Sequence, residues 1–357
     1  MSRYRVFSET EDVLQAAVRR LHHIYETHDS VAVAFSGGKD SLVTLHLARL
    51  VGADYGVTRI PTIFRDEEVI TPDILEFVDR YRQESWVDMR WYCYPLQSDR
   101  HVLGENLPVV FWDTNRAWLR EPPSWALRLP PEDTRVFSQF TMDEEAAKGL
   151  PGKVCVLTGV RARESPYRMR SVLQSTQRPW MVDTDSKRVM MGRPIYDWEQ
   201  DDVWKFLLDQ SITPCPVYDA QLLAGQPLRV STPLHAGAAK HLSTLRASHP
   251  EHLERLFAGF PGTDIQERYR LDIDRSGEYA PYEQEGLDGV ERWIDEHITD
   301  KDISAKAHKV LRYVRSNKSR RPLGYPTGYI LREFAGGGWR RGRILPLKLD
   351  EAARYAP

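Results

Sequence analysis

Six residues, Ser36-Gly37-Gly38-Lys39-Asp40-Ser41, lie between an apolar run and a helix-patterned segment, and this order constrains the fold more than any other feature of the chain. The run before them, Val31-Ala32-Val33-Ala34-Phe35, reads as a buried strand. After them Leu42, Val43, Leu45, Leu47, Ala48 and Leu50 cluster on one helical face. A strand, a glycine turn and a helix together present backbone N–H groups and a helix N-terminus to a phosphate. The glycines let the backbone approach an anion without a Cβ clash. Lys39 adds a mobile positive charge, and Ser36 and Ser41 add hydroxyl donors. The same string also fits a turn that only packs strand on helix. It is not a Walker A loop, which needs four residues between its glycine and its Gly-Lys pair.

The rest of the N-terminal half continues the alternation. Residues 8–28 carry Val13, Ala16, Ala17, Leu21 and Ile24 on one side of a helix. Ile60 to Phe64 reads as a second strand ending at Arg65-Asp66-Glu67-Glu68, a helix follows over about 71–84, and a third strand runs from Val87 to Tyr94. This βαβαβ order predicts an α/β fold, a doubly wound and mostly parallel sheet. Residues 95–150 break the rhythm and read as an insertion. There Trp112, Trp118 and Trp125 interleave with Arg116, Arg120, Arg128 and Arg135. Such a set can clamp a nucleotide or form a satellite core. Strand signals resume at Val154 to Thr158, followed by Gly159-Val160-Arg161-Ala162-Arg163-Glu164-Ser165, and again at Met190 to Ile195. Ligands of open α/β sheets lie beyond the carboxyl ends of strands, where both the glycine loop and this arginine segment fall. Asp197, with Gln200 three residues on, predicts the next helix start, and Val203, Trp204, Leu207 and Leu208 its buried stripe. Helical stretches are expected at about 234–258 and 287–315. The chain thus divides into residues 1–220 and a mainly helical, basic region, 221–357.

At 41% hydrophobic and 28% charged residues over 357 positions, the composition is that of a globular chain. It shows no run long enough to span a bilayer and no signal-peptide pattern, so a cytoplasmic location without membrane contact is expected. Cys93, Cys155 and Cys215 stand too far apart for a disulfide framework and are too few for an iron–sulfur cluster. The net charge of −2 hides an asymmetry. Residues 301–343 hold twelve Lys or Arg against Asp302 and Glu333, a local +10, while residues 1–300 carry −12. A cationic segment of this kind fits a nucleic acid or an acidic partner, or a solvated face folded on an acidic body.

SGGKDS at 36–41 resembles the PP-loop of the ATP pyrophosphatase superfamily. With GVRARESPYR at 159–168 and PIYDWEQDDVW at 194–204, it resembles the phosphoadenosine phosphosulfate (PAPS) reductase family of the adenine nucleotide α-hydrolase (HUP) group over about residues 8–220. Leu228-Arg229-Val230-Ser231-Thr232-Pro233 and the later Gly-Trp-Arg-Arg look more like the phage-associated IbrA-type subfamily, which implies a ParB/sulfiredoxin-like protein partner. The resemblance implies an adenine nucleotide, ATP or a PAPS-like one, with Mg²⁺. Ser36, Gly37, Gly38, Lys39, Asp40 and Ser41 match the phosphate loop. Asp66 and Glu67 fall where the family has an acidic residue near the ribose or adenine. Gly159, Arg161, Glu164, Ser165 and Arg168 match the second phosphate motif, and Asp197, Trp198 and Asp202 the helix start that closes the site.

The activity this implies is cleavage of the α–β bond of ATP with adenylation of an acceptor. Lys39 and the loop amides hold the departing phosphates, Arg161 and Arg168 neutralise the α-phosphate, and Asp40 is the candidate Mg²⁺ carboxylate. PAPS reductases carry a C-terminal nucleophilic cysteine in a Glu-Cys-Gly context. Here the last cysteine is Cys215, in Thr213-Pro214-Cys215-Pro216. That context differs from the family's and argues against PAPS reduction, so PAPS reduction or sulfate activation stands only as an alternative. A nucleotide-binding regulator that contacts DNA or a protein is another.

Overall fold

In the computed structural model, which describes residues 11–102, 105–164, 168–169, 172, 178–184, 186, 188–223, 225, 228, 230, 232–235, 242–268, 276–335 and 337–347, the apolar runs pair side by side. Strands β1 (Ser30–Ala34), β2 (Ile60–Arg65) and β3 (Val87–Tyr92) alternate with helices α1 (Val13–Thr27), α2 (Lys39–Gly52) and α3 (Pro72–Gln83). A two-stranded hairpin, β4 (Leu96–Val102) and β5 (Glu105–Phe111), and helix α4 (Gln139–Ala147) come next. Strands β6 (Val154–Leu157), β7 (Met181–Asp183) and β8 (Val189–Gly192) complete a six-stranded sheet of order β3-β2-β1-β6-β8-β7. All its pairings are parallel except β7–β8 at one edge. Successive residues of β1 and β6 are buried alike, as strands covered on both faces require.

Helices α5 (Gln200–Asp209), α6 (Val217–Leu223), α7 (Leu242–Ser248) and α8 (Pro250–Gly259) follow the sheet. The first compact unit runs to Thr263 except for residues 101–106; the second comprises those and the chain from Asp264. The second unit holds α9 (Ser276–Glu283), α10 (Leu287–His297), α11 (Lys301–Lys318) and α12 (Thr327–Ala335). Its own core contains Val290, Trp293, Ile294, Val310, Leu311, Val314, Ile330, Leu331 and Phe334.

Several local expectations change. The helix expected over 234–258 is two, because Pro250 disfavours helical backbone at His249 before it. The one expected over 287–315 breaks at 298–300, where Asp300 caps α11 through the amides of Asp302 and Ile303. The cap of α5 is Glu199, not Asp197, and Asp202 closes the capping box by accepting from the Glu199 amide at 2.7 Å. Asp197 is instead buried against α1. The Arg20 guanidinium donates to both its oxygens, donates to Pro194 O at 2.7 Å, and lies 4.6 Å over the Tyr196 ring. Trp198 packs, its indole N–H donating to Val13 O at 3.1 Å.

Removing one partner of a buried ion pair leaves the other charged and desolvated. Asp197→Ala is expected to lower the unfolding free energy in urea by about 3–5 kcal/mol. A loss under about 1 kcal/mol would show that the α1–Asp197 tie carries no stability.

Candidate functional site

The sheet order places the site. From β1 the chain moves outward one way to β2 and β3, then returns to the other side of β1 to lay down β6 and β8. Strands β1 and β6 are therefore neighbours that flank the topological switch point, where open α/β sheets bind ligands beyond the strand ends. Val33 pairs with Leu157, so both strands end level. Residues 36–41 leave β1 beside residues 159–161 leaving β6.

The loop is built for close backbone approach. Gly37 has φ +76°, and a Cβ there would come within 3.1 Å of Val78 and 3.2 Å of Ile74 on α3. Gly38 caps α2 without a side chain of its own. Two hydroxyls brace the turn: Ser41 Oγ donates to Gly38 O at 2.9 Å, accepts the Ser36 amide at 3.2 Å and lies 3.1 Å from Ser36 Oγ. The first-turn amides of Asp40 and Ser41 have no intrahelical acceptor, as at any helix start. A Cβ at Gly159 would run into the Asp40 carbonyl and the Ser41 amide, so only glycine lets the end of β6 touch the loop.

Three charged groups meet there. Lys39 Nζ donates to Asp40 Oδ2 at 3.0 Å and to Leu228 O at 3.1 Å. Arg161 Nε donates to Asp40 Oδ1 at 2.5 Å. Lys39 and Arg161 are both buried. A residue absent from the sequence reading joins them: the Tyr218 hydroxyl of α6 accepts the Lys39 amide at 2.7 Å, on the N–H ring where an anion would sit. Tyr218 is buried with its ring edge-on to Trp204. The one sequence cue was its place after the Pro214–Pro216 turn.

The carboxylates after β2 divide. Asp66 is buried and accepts from Trp91 Nε1 at 2.8 Å, from the Glu68 amide at 2.9 Å and from Arg120. Glu68 is fully buried, with φ +58°, and is held by Arg116 at 2.5 and 2.8 Å and by the amides of Trp112 and Leu119. Arg116 and Arg120 of the insertion are thus spent on structure, and Arg120 also stacks 4.9 Å over Trp112, whereas Arg128 is exposed. Trp125 is exposed under Arg82, and Arg135 pairs with Asp133 and Glu145. Glu67 makes no side-chain hydrogen bond or ion pair among the described residues, and burial pushes its carboxyl up to about 7 against the pull of Arg65.

The remaining expected residues lie farther along. Arg168, partly exposed, pairs with Glu164, while Arg163 pairs with Glu199 at 2.5 Å. Ser165 lies outside the described residues. Cys93, Cys155 and Cys215 are buried, and desolvation raises all three thiols, Cys155 and Cys215 to about 12. Asp40 does not fit a resident Mg²⁺ site in this arrangement, because both its oxygens are committed to cations. No group of three His, Cys, Asp or Glu among the described residues could hold a metal. A cleft of about 690 Å³ lined by His46, Arg49, Phe77, Arg80, Tyr81 and Gln210 contains no residue of the 36–41 loop. No helix among the described residues is long and apolar enough to cross a membrane.

Two measurements check this geometry. Tyr218→Phe removes the acceptor on the Lys39 amide. Loss of a bond worth about 1 kcal/mol is expected to speed its hydrogen exchange about fivefold, and unchanged protection would remove Tyr218 from the loop. Glu67 binds its proton more tightly folded than unfolded, so stability is greatest below its unfolded pKa and declines as pH rises from about 4.5 through about 7. Glu67→Gln is expected to flatten that slope by on the order of 1–3 kcal/mol between pH 5 and 8 in urea titrations; an unaltered slope excludes a raised carboxyl.

Among solved structures, the chain is similar to FMN adenylyltransferase from Candida glabrata in complex with FAD and inorganic pyrophosphate. That likeness has 14% identity over 60% of this chain and 65% of that one, with a TM-score of 0.38. It is also similar to PAPS reductase from Candida auris, at 12% identity over 57% and 84% of the two chains and a TM-score of 0.34. Likenesses this distant carry no argument about function. A curated relative, Uncharacterized protein YbdN of Escherichia coli (strain K12), is 26% identical over 233 residues. That alignment takes in 61% of this chain but spans only 57% of the relative's length, as the first structure is spanned over only 65% of its own. The phosphoadenosine phosphosulfate reductase domain model matches residues 30–224, from the start of β1 through α6. That match takes in more than half of the chain, and the chain belongs to the phosphoadenosine phosphosulfate reductase domain family.

Proposed function

We propose that this chain is an adenine-nucleotide enzyme that breaks the α–β bond of ATP, or of a related nucleotide, and passes the adenylyl group to an acceptor. The observation that carries this reading is the meeting of Arg161 with the 36–41 loop through Asp40 at the β1–β6 switch point. The family assignment supports adenine-nucleotide processing. Mg²⁺ belongs with the nucleotide as part of the substrate, and no step here is assigned to it.

The polyphosphate would enter on the α2 N-terminus, with the Tyr218 hydroxyl yielding the Lys39 amide to a phosphate oxygen. Lys39 Nζ would then exchange the Leu228 carbonyl for the leaving phosphates. Arg161, held beside the loop by Asp40, would face the α-phosphate. An acceptor oxygen attacks phosphorus, the bond to the α–β bridging oxygen breaks, and pyrophosphate leaves with the electron pair. The acceptor proton would go to Glu67, whose raised pKa suits a base near neutrality. The buried, neutral thiols favour this over PAPS reduction, which needs a reachable thiolate.

Incubation with α- and γ-labelled ATP and Mg²⁺ is expected to give AMP, free or on an acceptor, with pyrophosphate. ADP with phosphate would overturn the reading. Arg161→Ala is expected to slow the cleavage about 10²–10³-fold, as for loss of one preorganised donor. Lys39→Ala is expected to weaken nucleotide binding, and unchanged affinity would remove Lys39 from the site.

A further inference from the structure

We infer that the outward face of α11 binds the phosphodiester backbone of a nucleic acid. The second compact unit sorts its charges by face. On one side of α11, Arg315 is held at 2.7 Å by both Asp288 and Glu291 of α10, and His308 lies 2.9 Å from Asp295. A second side, Ala307, Val310, Leu311 and Val314, is buried in the unit's core. The third side is exposed and carries Lys306, Lys309 and Arg312, three residues apart. Arg320 and Arg321 extend it past the helix end, and Arg343 lies 5.5 Å over the ring of Tyr313 on the same helix.

None of these six cations has a carboxylate partner among the described residues. The unit does not lack acids: α10 supplies four, and Arg292 takes Glu285 and Glu296. They are committed to the other side. The unpaired charges form a row of about 20 Å from Lys306 to Arg320 at 1.5 Å per residue, which spans about six nucleotide steps of 3.4 Å along one strand.

The chemistry between the charges selects among polyanions. Beyond its first turn the exposed face offers Ala305, Ser316 and Ser319, which allow a backbone close approach. On the helix itself it has no Trp, Phe or Leu to insert below lipid headgroups, as a membrane-surface helix requires, and Leu323, past the helix end, is a single exposed apolar side chain. Its aromatic ring, Tyr313, is partly buried and lies under Arg343, whereas protein interfaces depend on open aromatic anchors. What remains is a row of cations along one side of the helix, which fits a linear string of phosphates.

The test uses the full chain and labelled DNA or RNA of about 20 nucleotides, single and double stranded, by fluorescence anisotropy without ATP. Binding is expected to fall with salt at a slope of log K on log salt near −4 to −5 if all six cations engage. The triple variant Lys306→Gln/Lys309→Gln/Arg312→Gln is expected to reduce that slope by about 2–3 and to weaken binding at least about tenfold. A charge-matched variant of paired surface cations in the first unit, Arg19→Gln/Lys148→Gln/Lys205→Gln, is expected to change affinity less than about twofold. Absence of binding to every nucleic acid, equal losses in both variants, or binding only to anionic lipid vesicles would each overturn the inference. Because no nucleotide is present, its failure is separate from failure of the adenylyl-transfer reading.

Discussion

Asp40 ties the loop after β1 to the strand end after β6. Its two oxygens take Lys39 on one side and Arg161 on the other, and both cations are buried. A buried guanidinium or ammonium without a partner is costly, so the carboxylate fixes where these two side chains rest. The same contact explains Gly159. Arg161 reaches Asp40 because β6 ends against the backbone of Asp40 and Ser41, with no room for a Cβ between them. Geometry at the strand ends and electrostatics at the loop therefore enforce one another.

The arrangement is also self-occupied. A helix start with open amides attracts an acceptor, and here the acceptors come from the chain: the Tyr218 hydroxyl on the Lys39 amide and the Leu228 carbonyl on its ammonium. Both are neutral. A phosphate offers the same positions a full negative charge, and charge-assisted bonds are about twice as strong as neutral ones. Neutral acceptors can thus hold the loop in shape and still yield to an anion.

Much of this was legible in the sequence because its signals are local. An apolar run, two glycines and a helical apolar face specify β1, the loop and α2 within about twenty residues, and Pro72 marks the start of α3. What escaped depends on distant partners. Nothing near Asp197 shows that Arg20 will claim it, and nothing near Tyr218 shows that it will reach Lys39. The hairpin at 96–111 escaped for another reason: Leu96-Gln97-Ser98-Asp99-Arg100-His101-Val102 is polar at most positions, and its two strands form a sheet of their own. The Trp–Arg insertion could be read two ways, and its Arg116 and Arg120 partner two buried carboxylates, contacts that depend on residues about fifty positions away.

Those carboxylates also explain the third. Asp66, Glu67 and Glu68 are consecutive, the first and last buried and Glu67 partly so, and three adjacent negative charges would repel strongly. Arg120 and Arg116 neutralise the first and last. No cation is within ion-pair distance of Glu67 among the described residues, so desolvation and its Asp66 neighbour outweigh Arg65 and raise its proton affinity. Asp66 and Glu68 each have an arginine against their charge. Glu67, between these two neighbours, has its proton affinity raised toward neutrality, and it follows β2, the strand paired with β1.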